Sequence, residues 1–148
     1  IKLAEANGCK HVINYFNSQF SAEVRAFTNG KGVSVVYDSV GLSTYKESLS
    51  SLENFGVLVT FGNASGPIPG IEPLELMKLG SLSISRPTLM NYTSVPELRQ
   101  KASSELFSFV SRGNIKIEIG QTFPLSDTAR AHSAIEGRKP TGSTILIP

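Results

Sequence analysis

Tryptophan is absent from this chain, cysteine occurs once, as Cys9, and histidine twice, as His11 and His132. A lone cysteine excludes an internal disulfide framework, which makes a reducing, cytoplasmic compartment the expectation. One cysteine and two histidines cannot build a usual zinc site from nitrogen and sulfur ligands, so no metal is expected. His132 reads as a helix-surface or partly buried side chain, and Cys9, beside a helix end, as an inert small hydrophobe. No apolar run approaches a membrane span and no signal-peptide pattern opens the chain, so no membrane partner is expected. Neither charge sign dominates: 14 Lys and Arg against 12 Asp and Glu leave a net +2, scattered without a basic run. That is too little for a nucleic-acid surface. There is no G-x-S-x-G elbow and no Ser/His/Asp set.

What the sequence does have is a β-branched run, "VSVVYDSVG" at residues 33 to 41, that stops abruptly at Asp38-Ser39-Val40-Gly41. Buried parallel strands read like this, and in open α/β sheets ligands sit at the carboxyl ends of such strands. The stretch therefore looks like the floor of a nucleotide site. No glycine-rich phosphate loop comes before it, which leaves the rest of that site to be found.

The chain opens on helix formers, residues 1 to 7, with Gly8 as the stop. A domain rarely opens on the last turns of a helix, so a piece of a longer chain is the expectation. "HVINY" reads as a short strand ending at Tyr15. Ser18 can cap a helix whose Phe20, Val24 and Phe27 share a face. After the run at 33 to 41, Tyr45, Leu49 and Leu52 form another helical stripe, with Thr44 and Glu47 at capping-box spacing. "GVLVTFG", residues 56 to 62, is a strand, and the loop "NASGPIPG" follows it. Pro73 can open a short helix that Gly80 closes. "SLSISRP" alternates, with Leu82 and Ile84 on one face and serines on the other, as at a sheet edge. Ser94, Pro96 and Glu97 mark a helix start, and Leu98, Ala102, Leu106, Phe109 and Val110 line one side down to Gly113. "IKIEI" at 115 to 119 predicts a strand, Ser126 caps a helix, and "STILIP" closes the chain. Strand and helix alternate as in a parallel sheet with covering helices.

Few single residues carry chemistry by pattern alone. Asp38 ends a strand and is expected to turn the chain or bind a ligand hydroxyl rather than to catalyse. "GNASGPIPG" follows a strand but lacks the G-x-G-x-x-G spacing, and its prolines prevent a helix from starting there. It is no phosphate cradle, though it could place backbone amides near a flat ring. Tyr15 could stack on an aromatic ligand or merely cover the sheet. Arg138, in "EGRKPTG", could bind a phosphate or face solvent.

"HVINY", "GVSVVYDSVG", "VLVTFGNASG", "SLSISRPTL" and "RKPTGSTILIP" together resemble the quinone oxidoreductases, the zinc-free, NADPH-using members of the medium-chain dehydrogenase/reductase group. The resemblance runs through essentially the whole chain, in order. It implies an α/β fold: a partial Rossmann domain, that is, a doubly wound parallel sheet, lacking its first two strands. C-terminal strands would return to a missing catalytic domain. The division implied is 1–113 for the truncated dinucleotide-binding domain and 114–148 for the C-terminal segment. The glycine-rich loop and the lysine that family members use for the 2′-phosphate would both precede Ile1.

The resemblance also implies roles. Tyr15 matches the tyrosine beside the adenosine ribose and its 2′-phosphate, and Arg138 a tail arginine near that phosphate. Ser39, Val40 and Gly41 match the turn under the cofactor. Phe61, Gly62 and Asn63 match the strand end beside the nicotinamide, and Arg86, Pro87, Thr88 and Leu89 the segment whose backbone holds the carboxamide. Ala64 stands where the family has a serine, so that side-chain contact is not implied. The reaction implied is hydride transfer from NADPH to a quinone or conjugated carbonyl, with no catalytic acid in this part of the chain. The fragment alone is expected to be inactive, with unpaired strand edges that re-pair, self-associate or leave it marginally stable. A homodimer through residues 81–87 is implied as well. Two other readings stand beside this one: a non-catalytic nucleotide-binding or regulatory module, and a methyltransferase-like domain, which the tail after Gly113 fits poorly.

Overall fold

The run at 33 to 41 forms its strand, β1 (Val33–Asp38), and the chain turns there into the short helix α3 (Tyr45–Ser50). The computed structural model describes residues 1–16, 19–137 and 140–148. Its chain divides into two compact units, Ile1–Leu89 and Met90–Pro148.

In the first unit, α1 (Lys2–Ala6) and α2 (Phe20–Phe27) precede β1, and β2 (Leu52–Thr60), α4 (Pro73–Lys78) and β3 (Ser83–Ser85) follow α3. The three strands form one parallel sheet in the order β1-β2-β3. Parallel neighbours need a crossover connection, and α3 and α4 supply it. The core is small. Tyr45, Leu49, Leu52, Leu58 and Leu82 are buried, with Val33, Val36, Ile68, Ile71, Leu76, Leu79 and Ile84 packed against them. Tyr45 and Leu49 come from the stripe read in the sequence, but Leu52 sits in β2 rather than on the helix.

Several local expectations are corrected. "HVINY" forms no strand, because no ladder partner meets it among the described residues. β1 is an edge strand rather than a doubly buried one: Tyr37 is 73% exposed and Val35 39%. The capping box at Thr44 does not form. The Thr44 hydroxyl turns instead to Asp38, and Glu47 accepts the Ser21 backbone N–H at 3.0 Å, in the first turn of α2. The expected cap Ser18 lies outside the described residues. Cys9 is exposed rather than packed as a small hydrophobe, its thiol 3.2 Å from the His11 carbonyl. By contrast Pro73 opens α4, Gly80 ends it at φ +121, and β3 alternates as read, with Leu82 buried and Ser83 and Ser85 exposed.

The second unit begins one residue into α5 (Leu89–Thr93) and contains α6 (Pro96–Ser111), β4 (Ile119–Pro124), a 3-10 turn (Leu125–Asp127), α7 (Thr128–Glu136) and β5 (Ser143–Ile147). The Ser94 hydroxyl donates to the Asn91 carbonyl instead of capping α6, and no α6 residue is buried, the stripe from Leu98 to Val110 included. The strand expected at 115 to 119 is shifted and starts only at Ile119. The helix after it is preceded by Asp127, not capped by Ser126. β4 and β5 are not orphaned. They pair with each other in parallel, joined through α7, whose Ala131 is buried. Gln121 supports the pairing, its amide donating to Thr144 Oγ1 at 2.9 Å.

Leu58 is fully buried in the central strand, whereas Phe55 holds φ +65 with 77% of its surface exposed. Leu58→Ala is expected to cost about 3 kcal/mol in urea unfolding, as other buried leucine truncations do. Phe55→Gly relieves a left-handed backbone that a bulky residue rarely adopts, and is expected to leave stability unchanged or raise it by about 1 kcal/mol. A loss of stability in Phe55→Gly matching that of Leu58→Ala would place the Phe55 ring in the core.

Candidate functional site at the carboxyl end of the sheet

The site is built outward from Asp38, the last residue of β1, which is only 4% exposed. A buried carboxylate is tolerable only when hydrogen-bonded, and this one accepts from four residues. The Val40 and Gly41 backbone N–H groups donate to Oδ1 at 2.8 and 2.9 Å. The Thr44 hydroxyl lies 2.8 Å from Oδ2 and the Ser48 hydroxyl also 2.8 Å from Oδ2. Burial pushes the Asp38 carboxyl upward, but the hydrogen bonds from Gly41, Ser48, Thr44 and Val40 outweigh it and hold the group below the usual carboxylate range. Asp38 thus turns the chain, one of the two roles read for it. Thr44 and Ser48 were not read as site residues. Their signal was hydroxyls four residues apart on the helix after a strand ending in Asp, which places both on one face.

The turn at 39–41 is locked to the loop after β2. The Phe61 N–H donates to the Asp38 carbonyl at 2.9 Å, Ala64 N–H to Ser39 at 3.3 Å and Ser65 N–H to Val40 at 2.8 Å. The Ser65 hydroxyl also reaches the Val40 carbonyl, at 2.8 Å. The loop's amides at Ala64 and Ser65 are therefore taken up by the neighbouring turn rather than offered to a ring. Two glycines permit this approach. A Cβ on Gly41, at φ +90, would meet the Gly66 carbonyl oxygen at 2.5 Å, and one on Gly62 would run into the Ser39 backbone. β3 joins through Arg86, whose Nη1 donates to Thr60 Oγ1 and to the Gly62 carbonyl, both at 3.1 Å.

The structure brings most of the sequence-read residues to one sheet end. Ser39, Phe61, Asn63, Arg86, Thr88 and Leu89 are exposed there, Val40, Gly62 and Pro87 half-buried, and Gly41 buried. A groove of about 230 Å³ runs beside β1, lined by Tyr15, Phe20, Tyr37, Ser39 and Val40 among others. Tyr15 stands in it with its ring stacked on Phe16, centroids 5.2 Å apart, and edge-on to Phe20. On the other flank a cleft of about 450 Å³ lies among Thr60, Asn63, Arg86 and the apolar residues of the loop at 67–71. Arg138 lies outside the described residues.

An open parallel sheet whose strand ends carry the grooves is the arrangement of Rossmann-type dinucleotide-binding domains. The family model described as "Zinc-binding dehydrogenase" matches residues 7–146, and the chain belongs to that family. It is 44% identical, over 99% of its length, to a quinone oxidoreductase of Pseudomonas aeruginosa and covers 45% of that protein. It superposes with a TM-score of 0.91 on the Escherichia coli quinone oxidoreductase solved with NADPH, at 41% identity, covering 99% of this chain and 46% of that one. A 2-haloacrylate reductase gives a TM-score of 0.92 at 40% identity, with 99% and 46% covered. The chain thus spans somewhat under half the length of these relatives, and its sheet is a partial Rossmann fold. The family's name implies zinc. Among the described residues no three of His, Cys, Asp and Glu gather to hold a metal. His11 instead stacks on Phe27, centroids 4.1 Å apart, and Cys9 is exposed, so the donor set does not fit and no step is derived through zinc.

A folded-state carboxyl held low contributes stability that is present above its unfolded pKa of about 3.9 and lost as pH falls through the lower folded value. Asp38→Asn keeps the shape but not the charge, and is expected to cost about 2 kcal/mol at neutral pH. Urea midpoints for both proteins should differ by a constant amount from pH 5 upward and converge below about pH 4. A difference that persists unchanged to pH 2 would show that the Asp38 charge contributes nothing to the fold.

Proposed function

We propose that this chain is the cofactor-binding portion of an NADPH-dependent quinone oxidoreductase. The observation that carries the reading is the convergence at one sheet end of the turn at 39–41, the strand end at 61–63 and the segment at 86–89. Tyr15 faces the first of these across a groove. The relatives named as quinone oxidoreductases, one of them solved with NADPH, support it.

When bound, the nicotinamide supplies the hydride that a quinone or conjugated carbonyl accepts. The chain's own residues bind and orient. Gly41 and Gly62 keep the strand ends free of side chains where the backbone closes up. Tyr15 offers an aromatic face for the adenosine ribose, and Ser39, Val40 and the Asn63 side chain edge the path toward the segment at 86–89. Arg138 would meet the 2′-phosphate. No general acid is required of these residues, since positioning and water exclusion are what a hydride transfer asks of its protein. Residues 1–113 would form the truncated dinucleotide-binding domain, and 114–148 would pack toward a catalytic domain. The strand at 81–87 would pair two copies in a homodimer, and the protein would be cytoplasmic. Among the described residues no helix is long and apolar enough to cross a membrane.

The product of the complete reading frame is expected to oxidise NADPH when 1,4-benzoquinone is added, while the 148-residue chain alone does not turn over. In that product Tyr15→Ala is expected to raise the KM for NADPH about fivefold, the worth of one aromatic contact, with kcat little changed. Failure to oxidise NADPH with any quinone, with the nucleotide still bound, would favour the non-catalytic module. Binding of S-adenosylmethionine in place of NADPH would overturn the oxidoreductase reading altogether.

A further inference from the structure

The cleft beside β2 and β3 is a second, chemically different feature of the sheet end. Its walls are Pro67, Ile68, Pro69, Ile71, Leu76 and Ile84, and Thr60, Asn63 and Arg86 are its polar members. A volume of about 450 Å³ falls within the range of small-molecule sites, which are mostly apolar with a few placed polar groups. The one charged side chain in the lining is Arg86. Nη1 is engaged by Thr60 Oγ1 and the Gly62 carbonyl, which holds the guanidinium in place. The donors on Nη2 and Nε have no acceptor among the described residues, and no carboxylate pairs with Arg86 there. Arginine presents five N–H donors in a rigid fork suited to a carboxylate.

We infer that this cleft binds an apolar monocarboxylate, with the carboxylate on the free edge of Arg86 and the tail among Ile68, Ile71, Leu76 and Ile84. The proposal does not depend on the cofactor reading, which draws on the backbone of 86–89. The tail gains from removing apolar surface from water, and the head from a charge-assisted hydrogen bond to a donor already fixed by two others. Because that donor is fixed, little ordering is required on binding. A neutral or cationic head on the same tail keeps the first gain and forfeits the second.

The test follows the isoleucine δ1 methyl NMR signals of the 148-residue chain during titration with octanoate, octan-1-ol or octylamine. Octanoate is expected to shift Ile68, Ile71 and Ile84 selectively and to bind at least about tenfold tighter than octanol, with octylamine weaker still. Arg86→Met should bring octanoate down to the octanol affinity, and Arg86→Lys should restore part of the difference. Should Arg86→Met disturb the fold, the comparison of the three heads on the unaltered chain decides alone. Equal affinity for octanoate and octanol overturns the proposal, as does a response confined to other isoleucines. Shifts of the same three methyls on raising protein concentration without ligand would assign the cleft to a second copy of the chain, and overturn it too.

Discussion

Everything at the sheet end hangs from the Asp38 carboxylate. An ionised carboxylate taken out of water is held only by the donors around it, and here the acceptor ends the strand β1 while its donors come from the turn at 40–41 and from α3 with its preceding residue Thr44. Satisfying the charge therefore fixes the turn against the helix. The turn's carbonyls in turn fix the loop after β2 through the Ala64 and Ser65 amides. Removing the carboxylate side chain would free not one contact but the relation among three segments, because the two amides and two hydroxyls would lose their common acceptor.

A comparable pin works at the opposite end of the sheet. The Arg25 guanidinium donates to the carbonyls of Ser50 and Leu52, at the end of α3 and the start of β2, and to those of Gly30 and Lys31 ahead of β1. It closes the amino ends of the strands as Asp38 closes their carboxyl ends. Between the two lies a core of five buried apolar side chains among the described residues, too few to specify the register of three strands and four helices by packing alone. Polar groups with a definite number of hydrogen bonds supply what a small core does not: a single arrangement in which all of them are satisfied.

Legibility in the sequence followed this division. Features that depend on near neighbours could be read: the β-branched run of β1, the Pro73 start and Gly80 stop of α4, and the alternation of Leu82 and Ile84 with serines in β3. Features that depend on distant partners could not. Thr44 and Glu47 have capping-box spacing, but Asp38 and the Ser21 amide, brought up by the fold, outcompete the local bonds. "HVINY" has strand composition but no ladder, since a strand exists only with a neighbour, and β4 starts at Ile119 because β5 is the strand it meets. At the site, the turn and the strand ends were legible as positions, and their roles came from resemblance. The hydroxyls of Ser48 and Ser65 that help hold those positions belong to no motif read in the sequence, and that of Thr44 belongs to one that reads as a helix cap and not as a partner of Asp38.

The electrostatic result at the sheet end is asymmetric. Asp38 is the only buried carboxylate there among the described residues, and its charge is absorbed by two amides and two hydroxyls pointing inward, so the groove beside β1 has aromatic and backbone walls and little bare negative charge to repel a phosphate-bearing ligand. Across β2 the balance reverses. Arg86 is anchored by neutral oxygens only, which position a guanidinium without neutralising it. The Arg86 charge therefore remains available on the β3 side, next to the apolar walls of the cleft. One network consumes its charge to build the backbone floor of the site and the other leaves its charge exposed beside that floor. The two flanks of a single sheet end are thus suited to different chemistries, although the same strands build both.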